Sequence, residues 1–99
     1  MRIVALMSDL MDRSRVSAAI DGVEFVRDVG ACSTADVVIV DIARHGDEIA
    51  AVRAVAPAAR MVAFGPHVDD AVLDRARTDG ADVVLARSRF FADPAAAVA

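Results

Sequence analysis

Residues 35–42 carry the feature that most restricts the fold of this chain, a run of four consecutive β-branched side chains at positions 37–40. Such a run suits a strand that is covered on both faces, as the central strands of a parallel sheet are. The run ends at Asp41, and open α/β folds bind their ligands at the carboxyl ends of such strands. The segment therefore predicts a central parallel strand with one carboxylate at the functional edge of the sheet.

Apolar and amphipathic segments alternate along the rest of the 99 residues. The strands are predicted at residues 2–7, 23–29, 35–42, 61–64 and 83–86, and the helices at about 9–21, 47–56 and 69–80. A tight loop is expected at residues 44–46, and a loop with a short helical start at Pro94 follows the last strand. Strands that alternate with helices favour right-handed crossovers and one parallel sheet. The sequence thus predicts a single α/β domain over residues 1–99 with a five-stranded parallel sheet.

The connection between the second and third strands is the one irregular part of this pattern. Only residues 30–36 lie between Val29 and Val37, whereas a parallel crossover usually takes about a dozen residues. We therefore expect the second helix to be missing or very short. The sheet face beside residues 30–36 should then be thinly covered, and its exposed apolar surface could be where a second copy docks.

Composition and charge exclude several classes of function. The formal charge is −4, and the eleven basic residues, all arginine, are scattered, whereas a nucleic-acid surface needs a clustered basic face. No apolar run approaches the ~20 residues of a membrane span, and no charged-then-apolar leader precedes the first strand. The lone Cys32 cannot form an internal disulfide, which fits a reducing compartment. We expect a soluble, cytoplasmic protein without nucleic-acid or membrane partners.

Chemically useful side chains follow several of the predicted strands. Asp9 follows the first strand, Asp41 ends the third, His67 follows the fourth and Arg87 follows the fifth. The two carboxylates could bind a divalent cation, because hard cations prefer oxygen ligands. They could equally cap a helix or accept hydrogen bonds from loop amides. Residues 7–10 lack the glycines of a phosphate-binding loop, which counts against dinucleotide binding. A Ser-His-Asp hydrolase is likewise unsupported by the sequence, because it has no G-x-S-x-G turn.

The arrangement resembles the receiver domain of bacterial response regulators, a flavodoxin-like fold. The resemblance covers nearly the whole chain. Residues 2–6 resemble the first strand of the family, and residues 35–42 resemble the third strand with its phosphoacceptor aspartate, here Asp41. Residues 59–87 resemble the part that runs through the Gly-Ala-Asp of residues 80–82 to the fifth strand. The resemblance implies a three-layer α/β/α domain that acts in two-component signalling.

Several positions depart from the pattern of that family. The acidic pair that holds the metal falls on Met7 and Ser8, and the hydroxyl residue after the fourth strand falls on Gly65. The lysine falls on Arg87 and the switch aromatic on Val84. One carboxylate fewer weakens Mg²⁺ binding, and arginine is a poor substitute for the compact charge of lysine. The resemblance therefore implies a degenerate receiver that needs no cofactor and binds Mg²⁺ weakly if at all.

Three functions remain open from the sequence. The first is a module that is not an enzyme and acts, without phosphorylation, on a protein partner or as a homodimer. Its contact face, on the fourth helix and fifth strand, would expose Asp70, Asp74, Arg75, Arg77, Arg87 and Arg89. The second is a Mg²⁺-dependent regulator phosphorylated at Asp41, with Asp9 on the metal and Arg87 on the phosphoryl group. The third is a sensor of a small anionic ligand that contacts Arg44, His67 and Arg87.

Overall fold

The computed structural model describes residues 1–66 and 69–99. In this part of the chain five parallel strands form one sheet in the order β2-β1-β3-β4-β5. They are β1 (Ile3–Leu6), β2 (Glu24–Val26), β3 (Val37–Asp41), β4 (Arg60–Gly65) and β5 (Val83–Ala86). β3 lies at the centre, and all five of its residues are buried. The predicted five-stranded parallel sheet and its central β-branched strand are confirmed.

Helices cover both faces of the sheet. They are α1 (Leu10–Ala19), α2 (Ile42–His45), α3 (Ile49–Val55), α4 (Asp70–Asp79), α5 (Arg87–Ala92) and α6 (Pro94–Val98). One buried apolar cluster includes residues of α3 and α4, and the other includes residues of α1, α5 and α6. The result is the three-layer, flavodoxin-like α/β/α fold that the resemblance to receiver domains implies. None of the helices in residues 1–66 and 69–99 is long and apolar enough to cross a membrane.

The second strand and the connection after it differ from the sequence prediction in extent. The strand predicted over residues 23–29 pairs with β1 only at Glu24–Val26. A single 3-10 turn, Val29–Cys32, follows it and takes the place of a crossover helix. It begins where the Asp28 carboxylate accepts a hydrogen bond from the Ala31 amide at 3.1 Å. The prediction of no full helix between residues 30 and 36 is therefore confirmed.

The expectation of exposed apolar surface beside that connection is wrong. The turn buries Cys32 completely in the cluster that holds Val38 and Val52, so the small residues cover the sheet themselves. The large apolar side chains exposed in the described chain lie elsewhere, at Met1, Leu10, Met11 and Val55.

Two predicted loops are helical instead. The tight loop expected at residues 44–46 begins within α2, because the Asp41 side chain caps a helix immediately after β3. A 3-10 turn, Gly46–Glu48, then leads into α3. The loop expected after β5 is α5, whose buried Phe90 stacks on Phe64 at a centroid distance of 4.6 Å. Burial of this aromatic pair stabilises α5. The sequence indicates a loop here because the segment begins with polar residues.

Candidate functional site

Asp41 ends β3 and caps the helix that follows. Its Oδ1 accepts a hydrogen bond from the backbone N–H of Ala43 at 3.1 Å, and the residue is only 1% exposed. A helix start leaves its first amides without acceptors, and an aspartate at this position supplies one. The predicted phosphoacceptor is therefore also a structural acceptor of α2.

Arg44 joins the two carboxylates that the sequence predicts at this edge. Its Nη1 lies 3.4 Å from Oδ2 of Asp41, and its Nη2 lies 3.5 Å from Oδ2 of Asp9. The two aspartates come to one edge because β1 and β3 are adjacent parallel strands, with Leu6 opposite Val40. Asp9 also caps α1, since its Oδ1 accepts the Asp12 amide at 2.9 Å. A guanidinium thus contacts both predicted metal ligands.

This set of donors does not fit a Mg²⁺ ion. Mg²⁺ requires oxygen ligands in near-octahedral geometry at about 2.0–2.1 Å. Asp9 and Asp41 each give one oxygen to a backbone amide and direct the other to the positive charge of Arg44. Within residues 1–66 and 69–99 no group of three or more His, Cys, Asp or Glu side chains could hold a metal ion. The positive charge beside these two carboxylates is therefore that of the Arg44 guanidinium.

Arg87 is held by Asp12 on α1. Its Nη1 donates to Oδ2 of Asp12 at 2.7 Å and its Nη2 donates to Oδ1, so the pair is bidentate. Asp12 is 2% exposed, and the guanidinium also lies 4.8 Å from the centroid of the Phe91 ring. The hydrogen bond from Arg87 lowers the pKa of Asp12 against the opposing effect of burial, and the same bond raises the pKa of Arg87. The role of Arg87 as a phosphoryl contact stays a prediction.

Gly65 closes β4 where the family pattern has a hydroxyl residue. A Cβ atom at this position would lie 3.2 Å from side-chain atoms of both Ile42 and Leu73. A serine or threonine there would force these two side chains to move, because such contacts are closer than ordinary van der Waals packing. His67, another predicted contact at this edge, lies outside the described residues.

A second chain of hydrogen bonds lies beside the carboxylates. Oγ of Ser8 is 2.8 Å from Nε2 of His45, and Nδ1 of His45 is 2.8 Å from Oε1 of Glu48. The sequence predicts neither this chain of hydrogen bonds nor the partner of Arg87. The spacing of three between His45 and Glu48 is a local signal, but Ser8 and His45 are 37 positions apart and meet only through the strand order.

No protein-family model and no curated protein matches the chain. Solved structures do. A response regulator protein from Burkholderia pseudomallei, whose crystal structure holds a phosphorylated aspartic acid, a calcium ion and citrate, superposes with a TM-score of 0.81 at 16% identity. The match covers 99% of this chain and 66% of that one, slightly less than two thirds of its length.

Two further response regulators superpose over shorter parts of this chain. The protein from Hahella chejuensis has a TM-score of 0.71 at 20% identity, covering 89% of this chain and 80% of its own. The one from Thermotoga maritima has a TM-score of 0.65 at 15% identity, covering 87% and 83%. At these identities the likeness establishes the fold. The chain has the receiver fold of response regulators, as the sequence predicts.

Proposed function

We propose that this receiver-like domain acts by protein–protein contact and independently of phosphorylation at Asp41. The observation that carries the proposal is the position of Arg44, whose guanidinium contacts both Asp9 and Asp41. Phosphoryl transfer to a carboxylate depends on positioning and on cancelling the negative charge that develops. Here the acceptor oxygen is already paired with a cation, and the other oxygen of Asp41 is bonded to the Ala43 amide.

The surroundings of Asp41 also give a phosphoryl group little to bind. Gly65 offers no hydroxyl, and Arg87 is engaged by Asp12. A ligand shifts a conformational equilibrium only if it binds the two states differently. Without groups that contact a phosphoryl group, phosphorylation would change the conformation little. The surface that contacts the partner therefore acts in the unphosphorylated conformation.

The contact surface is better supported at the start of α1 than on the face of α4 and β5. Arg77 pairs with Asp74 at 2.6 Å and Arg75 with Asp79 at 3.5 Å, so these charges satisfy one another within α4. Leu10 and Met11 are 76% and 77% exposed side by side. Neighbouring exposed apolar side chains favour burial against another protein surface. The partner in this proposal is a protein, with a second copy of the chain as the simplest case.

The phosphorylation half of the proposal is tested by intact-mass measurement. The protein is incubated with a small acyl phosphate and Mg²⁺, beside Asp41→Asn and Arg44→Ala. We expect no stable phosphoryl adduct on the unmodified chain, because Arg44 neutralises the acceptor. A gain of one phosphoryl group that Asp41→Asn removes would establish the phosphoacceptor function instead.

The contact half is tested by light scattering over a range of protein concentrations. We expect the mass to approach that of a dimer at high concentration, and the double variant Leu10→Ser/Met11→Ser to stay monomeric. Val55→Ser is the matched control, because Val55 is exposed on a different helix. A chain that stays monomeric at every concentration rules out the homodimer and restricts the proposal to a different protein partner.

A further inference from the structure

Ser8, His45 and Glu48 are arranged as a nucleophile, its base and the group that orients the base. A nucleophilic hydroxyl within hydrogen-bond distance of a base, with that base oriented by a third group, is the arrangement that covalent catalysis requires. Both contacts here are 2.8 Å. We propose that these residues form an acyl-hydrolase site that cleaves small esters whose acyl group carries a carboxylate. This activity goes beyond the protein contact proposed above. It uses backbone amides at the start of α1, not the Leu10 and Met11 side chains of that contact, and no residue of the Asp9–Arg44–Asp41 group.

The histidine tautomer follows from the partners of the two ring nitrogens. An ionised glutamate carboxylate only accepts hydrogen bonds, so Nδ1 of neutral His45 carries the proton that faces Glu48. Nε2 then has a free lone pair and accepts the hydroxyl proton of Ser8. The imidazole is held in this orientation, since only 12% of its side chain is exposed. The base therefore points at the nucleophile before any substrate arrives.

The position of Ser8 in the fold supplies the other requirement, a group that stabilises negative charge on a carbonyl oxygen. Ser8 is exposed and lies between the end of β1 and the start of α1, a helix of ten residues. The amides of Leu10 and Met11 belong to the first turn of that helix and have no acceptor within it. Backbone N–H groups next to a nucleophile are the usual donors to such an oxyanion.

A cavity of about 340 Å³ opens beside the serine and the histidine. Met7, Phe25 and Val26 form its apolar part, and Arg13 and Arg27 supply its positive charge. The guanidinium of Arg13 lies 4.7 Å from the centroid of the Phe25 ring, which fixes one cation at the wall. The volume is within the range of small-molecule sites. An acyl chain of a few carbons with a terminal carboxylate matches both the apolar wall and the arginines.

The reaction needs water as its only co-reactant. Oγ of Ser8 bonds to the carbonyl carbon while its proton passes to Nε2 of His45, and the ester C–O bond breaks as the alcohol leaves with that proton. Water then attacks the acyl-serine and gives a proton to His45. The bond between the acyl group and Ser8 breaks, Ser8 takes the proton back and the dicarboxylic acid is released.

The kinetic test compares the 4-nitrophenyl esters of acetate and of succinate. We expect the unmodified protein to hydrolyse the succinate ester with the higher kcat/KM, because its free carboxylate binds the arginines. Ser8→Ala and His45→Gln should each lower that value by about 100-fold or more. Ser17→Ala is the matched control, because Ser17 is an exposed serine on α1, the helix that follows Ser8. Arg27→Ala should reduce the preference for succinate over acetate.

Glu48 is a positioning residue, because it acts through His45. Glu48→Gln should lower kcat by about tenfold or more with little change in KM, since the substrate pocket is intact while the imidazole loses its orientation. Glu48→Asp keeps the carboxylate and should recover part of kcat. Circular dichroism confirms that each variant is folded.

Covalent labelling provides a second readout that does not depend on the choice of ester. A fluorophosphonate should add one mass increment to the intact protein, located at Ser8 by peptide mapping and absent from Ser8→Ala. Equal hydrolysis by the unmodified protein and Ser8→Ala overturns the proposal. So does a folded protein that gains no label at Ser8 under conditions that label a serine esterase.

Discussion

Two arginine side chains, Arg44 and Arg87, neutralise the carboxylates near the carboxyl edge of the sheet. Their contributions to the stability of the fold differ. Arg44 is half exposed, and its two contacts are 3.4 and 3.5 Å long. Asp41 is buried, as Asp12 is, but contacts of this length make poor hydrogen bonds and contribute little to stability. Arg87 binds Asp12 through two hydrogen bonds, and the Asp12 side chain is 3% exposed. These are charge-assisted hydrogen bonds in a bidentate pair, which contribute more to stability than the long contacts of Arg44.

Asp12→Asn should therefore lower the free energy of unfolding by about 1.5–3 kcal/mol at neutral pH. The effect should depend on pH in a defined direction. The pKa of Asp12 is lowered in the folded state, so its ion pair stabilises the protein above the ordinary aspartate value of about 4 and is lost as the pH falls through the lower folded value. Urea unfolding at pH 7 and pH 3 measures the cost of the substitution and its dependence on pH.

The matched control for that experiment is Asp74→Asn, whose pair with Arg77 is exposed on α4. It should change the free energy of unfolding by less than about 1 kcal/mol. If Asp12→Asn had the same cost at pH 7 and pH 3, the ion pair would not be the source of the stability.

Ile39 tests the packing of the central strand. It is fully buried in β3, in the cluster that includes Phe64 and Phe90. Ile39→Ala should lower the free energy of unfolding by about 2–5 kcal/mol, since the mutation removes buried methyl groups and leaves a cavity. Val55→Ala, at a position 38% exposed, should cost far less. Denaturant titration of both variants gives the comparison, and a cost below about 1 kcal/mol at Ile39 contradicts a tightly packed centre.

At the scale of the elements, the sequence predicts those that local patterns define. Buried strands such as β3 show as β-branched runs, and α1 and α4 show by their caps and apolar spacing. β2 is shorter than predicted because only Glu24–Val26 reach β1, a fact of sheet geometry. α5 is missed because its stability comes from the contact of Phe90 with Phe64, which lie on different elements.

Arg53 shows most clearly what a local pattern cannot reveal. It is one charged residue on α3 that no motif in the sequence marks, yet its guanidinium donates to four backbone carbonyls and to the carboxylate of Asp82. The four carbonyls belong to Ala56, Pro57, Ala59 and Gly80. It thereby connects the end of α3 to the start of β4 and to the turn between α4 and β5. Gly80 lies so close that a Cβ there would be 2.9 Å from Arg53.

Arg53→Lys should lower the free energy of unfolding by about 2–3 kcal/mol although it keeps the charge. A lysine ammonium is a single point with three donors and cannot match the planar fork that serves these carbonyls. Carbonyls left without a donor carry the cost of an unmade hydrogen bond. Arg75→Lys is the control, because Arg75 is mostly exposed and makes one 3.5 Å contact with Asp79. Equal thermal unfolding of the two variants contradicts the special role of Arg53.

At the scale of the whole molecule, two groups of polar residues lie at the carboxyl edge of the sheet. The short helix α2 contributes one residue to each group. Arg44 and His45 are neighbours on α2, and they contact Asp9 and Ser8 respectively. The strand ends in the sequence predict Asp9 and Asp41 at this edge. They do not predict how these residues are paired, because that depends on α2, where the sequence indicates a tight loop.

Because the guanidinium of Arg44 contacts both carboxylates, we predict that Mg²⁺ does not stabilise the folded domain. A ligand that binds only the folded state stabilises it by RT ln(1 + [L]/Kd). With Arg44 on both carboxylates, 10 mM Mg²⁺ should give the unmodified protein no more stability than sodium at equal ionic strength. In Arg44→Ala the two carboxylates lose the cation that both of them contact. We expect Mg²⁺ to stabilise that variant.

A dissociation constant near 1 mM in Arg44→Ala would give about 1.4 kcal/mol at 10 mM Mg²⁺. In a domain of 99 residues this is a rise in Tm of about 6 °C or more. Adding Asp41→Asn to Arg44→Ala should abolish the rise, because one of the two carboxylates is then gone. Differential scanning calorimetry of the three proteins in both salts tests this. An equal rise in the unmodified protein would show that Arg44 does not act in place of a divalent cation.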